Sequence, residues 1–259
     1  MTNKTCRKTI EDGVSESIGF LLIFTMVIVG IGLVTLYGYP LLLQQQTSAD
    51  EQIMEKNMIV LQNDMKSLAY KTVPYKETML NIGGGSLTAY DSTITGPRFR
   101  IHDGGGTDFL PENRTGDLRY YSTSAGVDIS LQNGAVVMRK LVEPGSTMLA
   151  QPRWFYDAPT ETMVINVICL NSNGNISRSG IGTVQMELGD PDYAVFNGVN
   201  GVFVDYTYDS GQDYTNGCNN YLTNTMDMNC GGSQPLTCMF NKPISTLVIK
   251  KTNIIIKSI

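Results

Sequence analysis

Residues 18–43 run for 26 positions without an Asp, Glu, Lys, Arg or His. An apolar helix needs about 20 residues to cross a hydrocarbon core, so this run is long enough to span one. From residue 44 to 69 neither Gly nor Pro occurs, and Met54, Met58, Leu61, Met65 and Leu68 recur at spacings of 4, 3, 4 and 3. That recurrence is an a/d-type stripe on one helix face, with Glu51, Glu55, Lys56, Asp64 and Lys66 off it. The pattern predicts a helical rod over 17–69, roughly 80 Å long at 1.5 Å per residue. Pro40, which removes one backbone donor, should distort it. The stripe has two readings: it packs on the protein's own body, or it meets the same helix of other copies.

After Pro74 the period changes from helical to alternating. Short runs rich in Val, Ile, Thr, Tyr and Phe are separated by turn residues, the mark of strands. The predicted strands are 78–82, 87–90, 98–102, 118–122, 127–131, 135–140, 163–170, 182–188, 201–208 and 247–256. Asn133-Gly134 between two alternating runs asks for a two-residue hairpin with positive φ at both positions. The triple glycines at 83–85 and 104–106 read as loops. Residues 209–243 are polar, Asn- and Gly-rich and irregular, and read as a large loop or subdomain inserted before the last strand. The expected fold class is α+β: a long N-terminal transmembrane and amphipathic helix, then an antiparallel β-rich, sandwich-like domain. The boundaries are 1–13 for a leader, 14–71 for the helix and 75–259 for the body.

Charge gives the helix an orientation. Lys4, Arg7 and Lys8 precede the span, whereas Asp50 and Glu51 are the first charges after it. Basic residues stay on the cytoplasmic side, so the N-terminus is expected in the cytoplasm and the body outside. A cleaved secretory signal would have an apolar region of about 7–15 residues and a small-residue site behind it. Here the run is longer and Tyr37-Gly38-Tyr39-Pro40 follows, so a retained anchor is expected. The net charge of −5, with charged residues only 17% of the chain, excludes the basic face that a nucleic-acid partner needs.

The five cysteines divide by side. Cys6 falls in the cytoplasm and should be reduced. Cys169, Cys218, Cys230 and Cys238 fall outside, where four cysteines allow three pairings. Cys230–Cys238 closes a short loop, and Cys169–Cys218 would tie the insertion to a strand. Free thiols or a zinc site are the alternatives, the latter without any Cys-x-x-Cys or neighbouring His. Asn113-Arg-Thr and Asn175-Ile-Ser fit glycosylation acceptors. No catalytic set emerges. The single His102 beside Asp103 reads as a surface turn, and no nucleophile elbow, zinc-protease or phosphate-loop motif occurs. Asp190, Asp192, Asp205, Asp209 and Asp213 match no calcium loop. Trp154-Phe155-Tyr156 reads as core with one residue exposed, or as a platform for a sugar. No enzyme activity, cofactor or metal is expected.

The junction Glu11-Asp12-Gly13-Val14-Ser15-Glu16-Ser17-Ile18-Gly19-Phe20 resembles the N-termini of archaeal type IV pilin-like proteins. So do the Gly19–Gly38 helix, its heptad-like continuation, and Gly134-Ala135-Val136-Val137 followed by Pro144-Gly145. The resemblance covers about residues 11–190, weakly beyond the first 70. It implies cleavage between Gly13 and Val14 by a membrane prepilin peptidase, with the anchor retained. It implies a cell-surface location and assembly of copies, or of other pilin-like subunits, through the helix. Glu16 then has two readings. It pairs with the new α-amino group of a neighbour in an apolar filament core, where an unpaired carboxylate is costly, or it sits in a first helical turn favoured by the helix dipole. The expected partners are membrane lipid, such subunits, the peptidase and a surface glycan. The expected function is a pilin-like surface subunit, with an anchored, non-polymerising binding domain as the alternative and a surface hydrolase a distant third.

Overall fold

A computed structural model describes residues 6–71, 73–209 and 212–259, with side chains from Ser17 onward. The chain divides into two compact units, residues 1–49 and 50–259. In the first, α1 (Cys6–Leu33) passes into one wide π-helical turn (Val34–Gly38), after which α2 (Tyr39–Lys71) begins. The wide turn has a cause in the sequence. Pro40 has no N–H to give the carbonyl of Leu36 four residues earlier, so the regular ladder is interrupted there. Every side chain of residues 18–43 is exposed, apart from the position of Gly38. The hydroxyls of Thr25 and Thr35 donate back to the carbonyls of Leu21 and Ile31 at 2.8 and 2.9 Å, which keeps them satisfied without water.

The second unit holds sixteen strands among its described residues, in three sheets. The central sheet has the order β1-β12-β16-β10-β9. Its strands are β1 (Tyr75–Asn81), β9 (Phe155–Asp157), β10 (Thr162–Ser172), β12 (Ile181–Asn197) and β16 (Thr246–Ser258). The second sheet, β11-β2-β5-β6-β7-β8, contains β2 (Ser86–Tyr90), β5 (Asp117–Ser122), β6 (Val127–Gln132), β7 (Ala135–Lys140), β8 (Ser146–Ala150) and β11 (Ile176–Arg178). The third, β14-β15-β13-β3-β4, contains β3 (Arg98–His102), β4 (Asp108–Arg114), β13 (Phe203–Thr207), β14 (Met228–Gly231) and β15 (Leu236–Phe240). β10 and β16 run parallel, and the other ladders are antiparallel. A third short helix, α3 (Thr215–Asn224), precedes β14.

The stripe of α2 packs on the protein's own body. Met54, Met58, Leu61, Met65 and Leu68 are all fully buried, in one core with Ile82, Leu118, Ile129, Val136, Ile168, Met186 and Ile254. Apart from Ile82, just past β1, these partners come from the central and second sheets, so α2 is the filling between them and residues 50–71 belong to the body. Gln62 shares the buried face, and its amide donates to the carbonyls of Gly134 (2.7 Å) and Gln151 (2.9 Å). Helix and β6–β7 hairpin are thereby pinned together. The hairpin has the predicted form, with Asn133 at φ 48° and Gly134 at φ 72°. Asn133 Oδ1 also accepts the Ile168 N–H at 2.9 Å. We predict that Gln62→Leu, which removes the side-chain donor from one buried and one part-buried carbonyl, costs about 1–3 kcal/mol. Urea denaturation of the detergent-solubilised chain checks it, and an unchanged midpoint would count against the pin.

Strands 98–102 and 135–140 lie where the alternation places them, and the other eight predicted strands differ in their ends. β10, β12 and β16 run beyond both predicted ends. β12 bends at a bulge between Leu188 and Pro191, where Gly189 and Pro191 read as a stop. The short strands β4, β8, β9, β11, β14 and β15 carry too few alternating positions to stand out. The insertion 209–243 is structured: α3 and the β14–β15 hairpin fill it, and the hairpin extends the third sheet.

Candidate functional site

The cysteine expectation is half corrected. Cys230 and Cys238 form a disulfide across paired positions of β14 and β15. Cys169 and Cys218 are free and buried, which overturns the second pairing. Each already has another neighbour. Cys169 Sγ accepts the Asn113 amide at 3.2 Å, and the Cys218 thiol meets the Tyr206 hydroxyl. Burial pushes the Cys218 thiol up to about 12, so it stays protonated and inert. Among the described residues no group of three or more His, Cys, Asp or Glu could hold a metal ion.

The predicted sites mostly do not come together. Gly13, Val14, Glu16 and Cys6 lie outside the residues whose side chains are described. Asn113 is half-buried: its amide donates to Arg114 O and Cys169 Sγ, and its oxygen accepts Lys251 Nζ at 2.8 Å. The nitrogen a sugar would modify is thus engaged with the body. Asn175 is exposed, its oxygen accepting the Asp91 N–H at 3.4 Å, and is the better placed acceptor. His102 is not in the expected surface turn: it ends β3, half-buried and paired with Phe203, with Nδ1 accepting the Gly104 N–H and Nε2 3.2 Å from Asp205 Oδ2. Trp154 is buried and donates to Asn166 O at 2.8 Å, while Phe155 is exposed.

The five aspartates are dispersed, and two of them are structural. Asp205 faces Arg100, His102 and Thr237. Asp209 accepts from Thr95 Oγ1 and Gly96 N and pairs with Arg98 at 3.5 Å. At the other end of the same turn, Asp91 accepts from Thr93 and from the Ser172 N–H at 2.6 Å. Burial pushes both carboxyls up, but the hydrogen bonds outweigh it, joined at Asp209 by Arg98 and Arg114, and both sit below their ordinary value. A depressed folded-state pKa gives stability above the unfolded value that is lost as pH falls through the folded one. We predict that the 91–97 turn loosens below about pH 4. Asp91→Asn with Asp209→Asn should flatten that part of the curve in a pH series of thermal melts.

What the fold does assemble is a trough at the C-terminal end of α2. The central sheet is longer than the helix that covers it. β1 pairs with β12 only from Ile181 to Glu187, and beyond Leu188 β12 is paired with β16 alone among the described residues. Register places Tyr193, Val195, Val248, Lys250, Val164 and Phe155 on the face that α2 covers further along. Here the helix has ended, and Tyr193 is 76% and Val195 50% exposed. Tyr70, in the last turn of α2, stands at the edge with Arg153 4.7 Å and Lys250 5.4 Å from its ring centre. Burial pushes its phenol up to about 12, against the pull of Arg153, so it remains an O–H donor. Lys250 Nζ also caps the helix by donating to Ala69 O at 2.9 Å. On one side of Tyr70 the lining is Asn63, Lys66, Ser67, Lys71, Gln151 and Arg153. On the other it is Val164, Leu188, Pro191, Asp192, Tyr193 and Val248. No sequence signal marked this site, because its cations come from positions 66, 71, 153 and 250 and no run of the chain looks basic.

An apolar helix of membrane-spanning length joined to a strand-rich body defines the architecture. The helix Ser17–Lys71 is long and apolar enough to cross a bilayer, with none of its apolar window buried, and it fits a membrane anchor. The sequence profile of a family of unknown function, DUF7289, matches residues 13–193, and the chain belongs to that family. Comparison with curated proteins gave no match. Comparison with solved structures gave none either.

Proposed function

We propose that this protein is a pilin-like cell-surface subunit. The N-terminal helix anchors it, the N-terminus lies in the cytoplasm, and the β body faces outward for structure or adhesion. Prepilin peptidase cuts between Gly13 and Val14, and the mature helix assembles laterally with other copies or related subunits, Glu16 pairing with a neighbour's α-amino group. The observation that carries the reading is the division of labour along the helix. Residues 18–43 expose apolar side chains, whereas Met54, Met58, Leu61, Met65, Leu68 and Ala69 bury theirs in the body. Only the first part is left for lipid and for neighbouring helices. Gly13→Trp should abolish processing, read as the absence of a chain starting at Val14 by N-terminal mass spectrometry of membranes. Normal cleavage would remove the pilin reading.

The second reading, an anchored binding domain that never polymerises, is favoured by one observation. The stripe that could have met other copies is consumed by the body, while the trough beside Tyr70 is open. Purified surface filaments rich in the Val14 form support the first reading, and only membrane-embedded monomer supports the second. Neither reading includes catalysis.

A further inference from the structure

We propose that the trough beside Tyr70 binds an acidic oligosaccharide, with carboxylates on its cationic half and a pyranose face on Tyr193. The inference rests on the outward-facing body proposed above and gives that body its ligand class.

Three features point to it. First, Lys66, Lys71 and Arg153 line one half of the trough with no carboxylate among its lining residues. None of the three joins an ion pair among the described residues. In a chain of net charge −5, three cations gathered without a counter-charge raise one another's energy. The Lys66 ammonium is pulled down by burial and then by Arg153. An anion relieves that crowding, and the Arg153 fork suits a carboxylate in bidentate geometry. Second, neutral donors and acceptors stand beside the cations: Asn63, Ser67, Gln151 and the Tyr70 hydroxyl. That mixture suits a ligand rich in hydroxyl groups. Third, the other half changes character. Tyr193, Pro191, Val164 and Val248 offer an apolar and aromatic floor, and Asp192 stands at its edge. Asp192 disfavours a uniformly charged strip such as polyphosphate or nucleic acid. A sugar chain with spaced carboxylates fits both halves, because a pyranose has an apolar C–H face for an aromatic ring and its charge is intermittent.

The test is calorimetry on the full chain in neutral detergent with three probes: tri-galacturonic acid, its methyl ester, and phosphatidylglycerol vesicles. The acid should bind at least tenfold more tightly than the ester, and more weakly as salt rises from 50 to 500 mM. Lys66→Gln with Arg153→Gln should weaken the acid at least tenfold, and Tyr193→Ser severalfold. Arg153 and Tyr193 are exposed and Lys66 is half-buried, so the melting temperature of each variant is read alongside; the salt and ester comparisons use only the unmodified chain and stand without them. Absence of binding to the acid, equal binding of acid and ester, or binding of vesicles alone would overturn the proposal. Filament content is measured separately. A chain that binds the acid but forms no filament keeps this inference and removes assembly, and a filament that ignores the acid does the reverse.

Discussion

Asp128→Ala is expected to destabilise the body more than any other single substitution proposed here. Asp128 lies on β6, on the face of the second sheet turned away from α2. Its Oδ2 accepts both Nε and Nη2 of Arg139 at 3.0 and 2.8 Å, and its Oδ1 accepts the Tyr214 hydroxyl at 2.7 Å. Beside it, Arg119 donates twice to Asp117 Oδ2, at 3.0 and 2.9 Å, and Ser130 adds a third bond at 2.8 Å. Asp117 is fully buried, Asp128 nearly so, and Arg119 stacks on the Tyr90 ring at 4.6 Å. With Asp128 gone, one carboxylate would face two guanidinium groups and the Tyr214 hydroxyl would lose its acceptor. Breaking a buried pair from one side costs about 3–5 kcal/mol. For a body of this size that is a fall in Tm on the order of 10 °C. Asp128→Asn keeps an acceptor for Tyr214 and should lose less. A loss under about 1 kcal/mol for the alanine variant in chemical denaturation would mean that the network does not hold the 209–243 segment to the sheet. Tyr214, just before α3, is the side chain that seats this segment. Behind it, Gly217 lies so close to β7 that a Cβ would stand 2.8 Å from Val137 Cγ1.

The second large effect concerns the anchor. Val27→Arg with Ile31→Arg puts two guanidinium groups near the middle of the 18–43 run. Each costs roughly 2.5–3.5 kcal/mol of insertion at a helix centre, so the pair removes most of what retains the chain. The double variant should leave the membrane fraction on carbonate extraction, with a body that still melts as before. Val27→Leu with Ile31→Leu should stay. Full retention of the arginine variant in membranes would show that something other than this helix holds the protein there. Because the body's core begins at Met54, the two measurements separate: one perturbs insertion without folding, the other folding without insertion.

Much of this was legible in the chain because it depends on local period. A long uncharged run dictates a helix with nothing polar to bury, and a 4-3-4-3 stripe dictates a helix with one apolar face. Alternation found ten strands, and Asn133-Gly134 gave the hairpin because only such residues hold φ above zero at both positions. Cys230 and Cys238 were paired from their closeness in sequence. Cys169 and Cys218 misled for the same reason in reverse: pairing across 49 positions is a question of where β10 and α3 meet, and nothing local answers it.

The sequence by itself determined the long apolar helix, the helical stripe and the strand-rich character of the body, since each follows from the spacing of side chains along one segment. Tertiary structure alone decided what the stripe touches, because only the stacking of two sheets creates the slot that Met54 to Leu68 fill. It alone brought the Tyr214 hydroxyl onto Asp128 from a segment far along the chain. And it alone made the trough, by ending α2 at Lys71 while β12 and β16 run on, so that Arg153 and Lys250 join Lys66 and Lys71 of the helix around Tyr70. Long-range juxtaposition is fixed by where elements stop and which faces they cover, and neither is written in the period of any one of them.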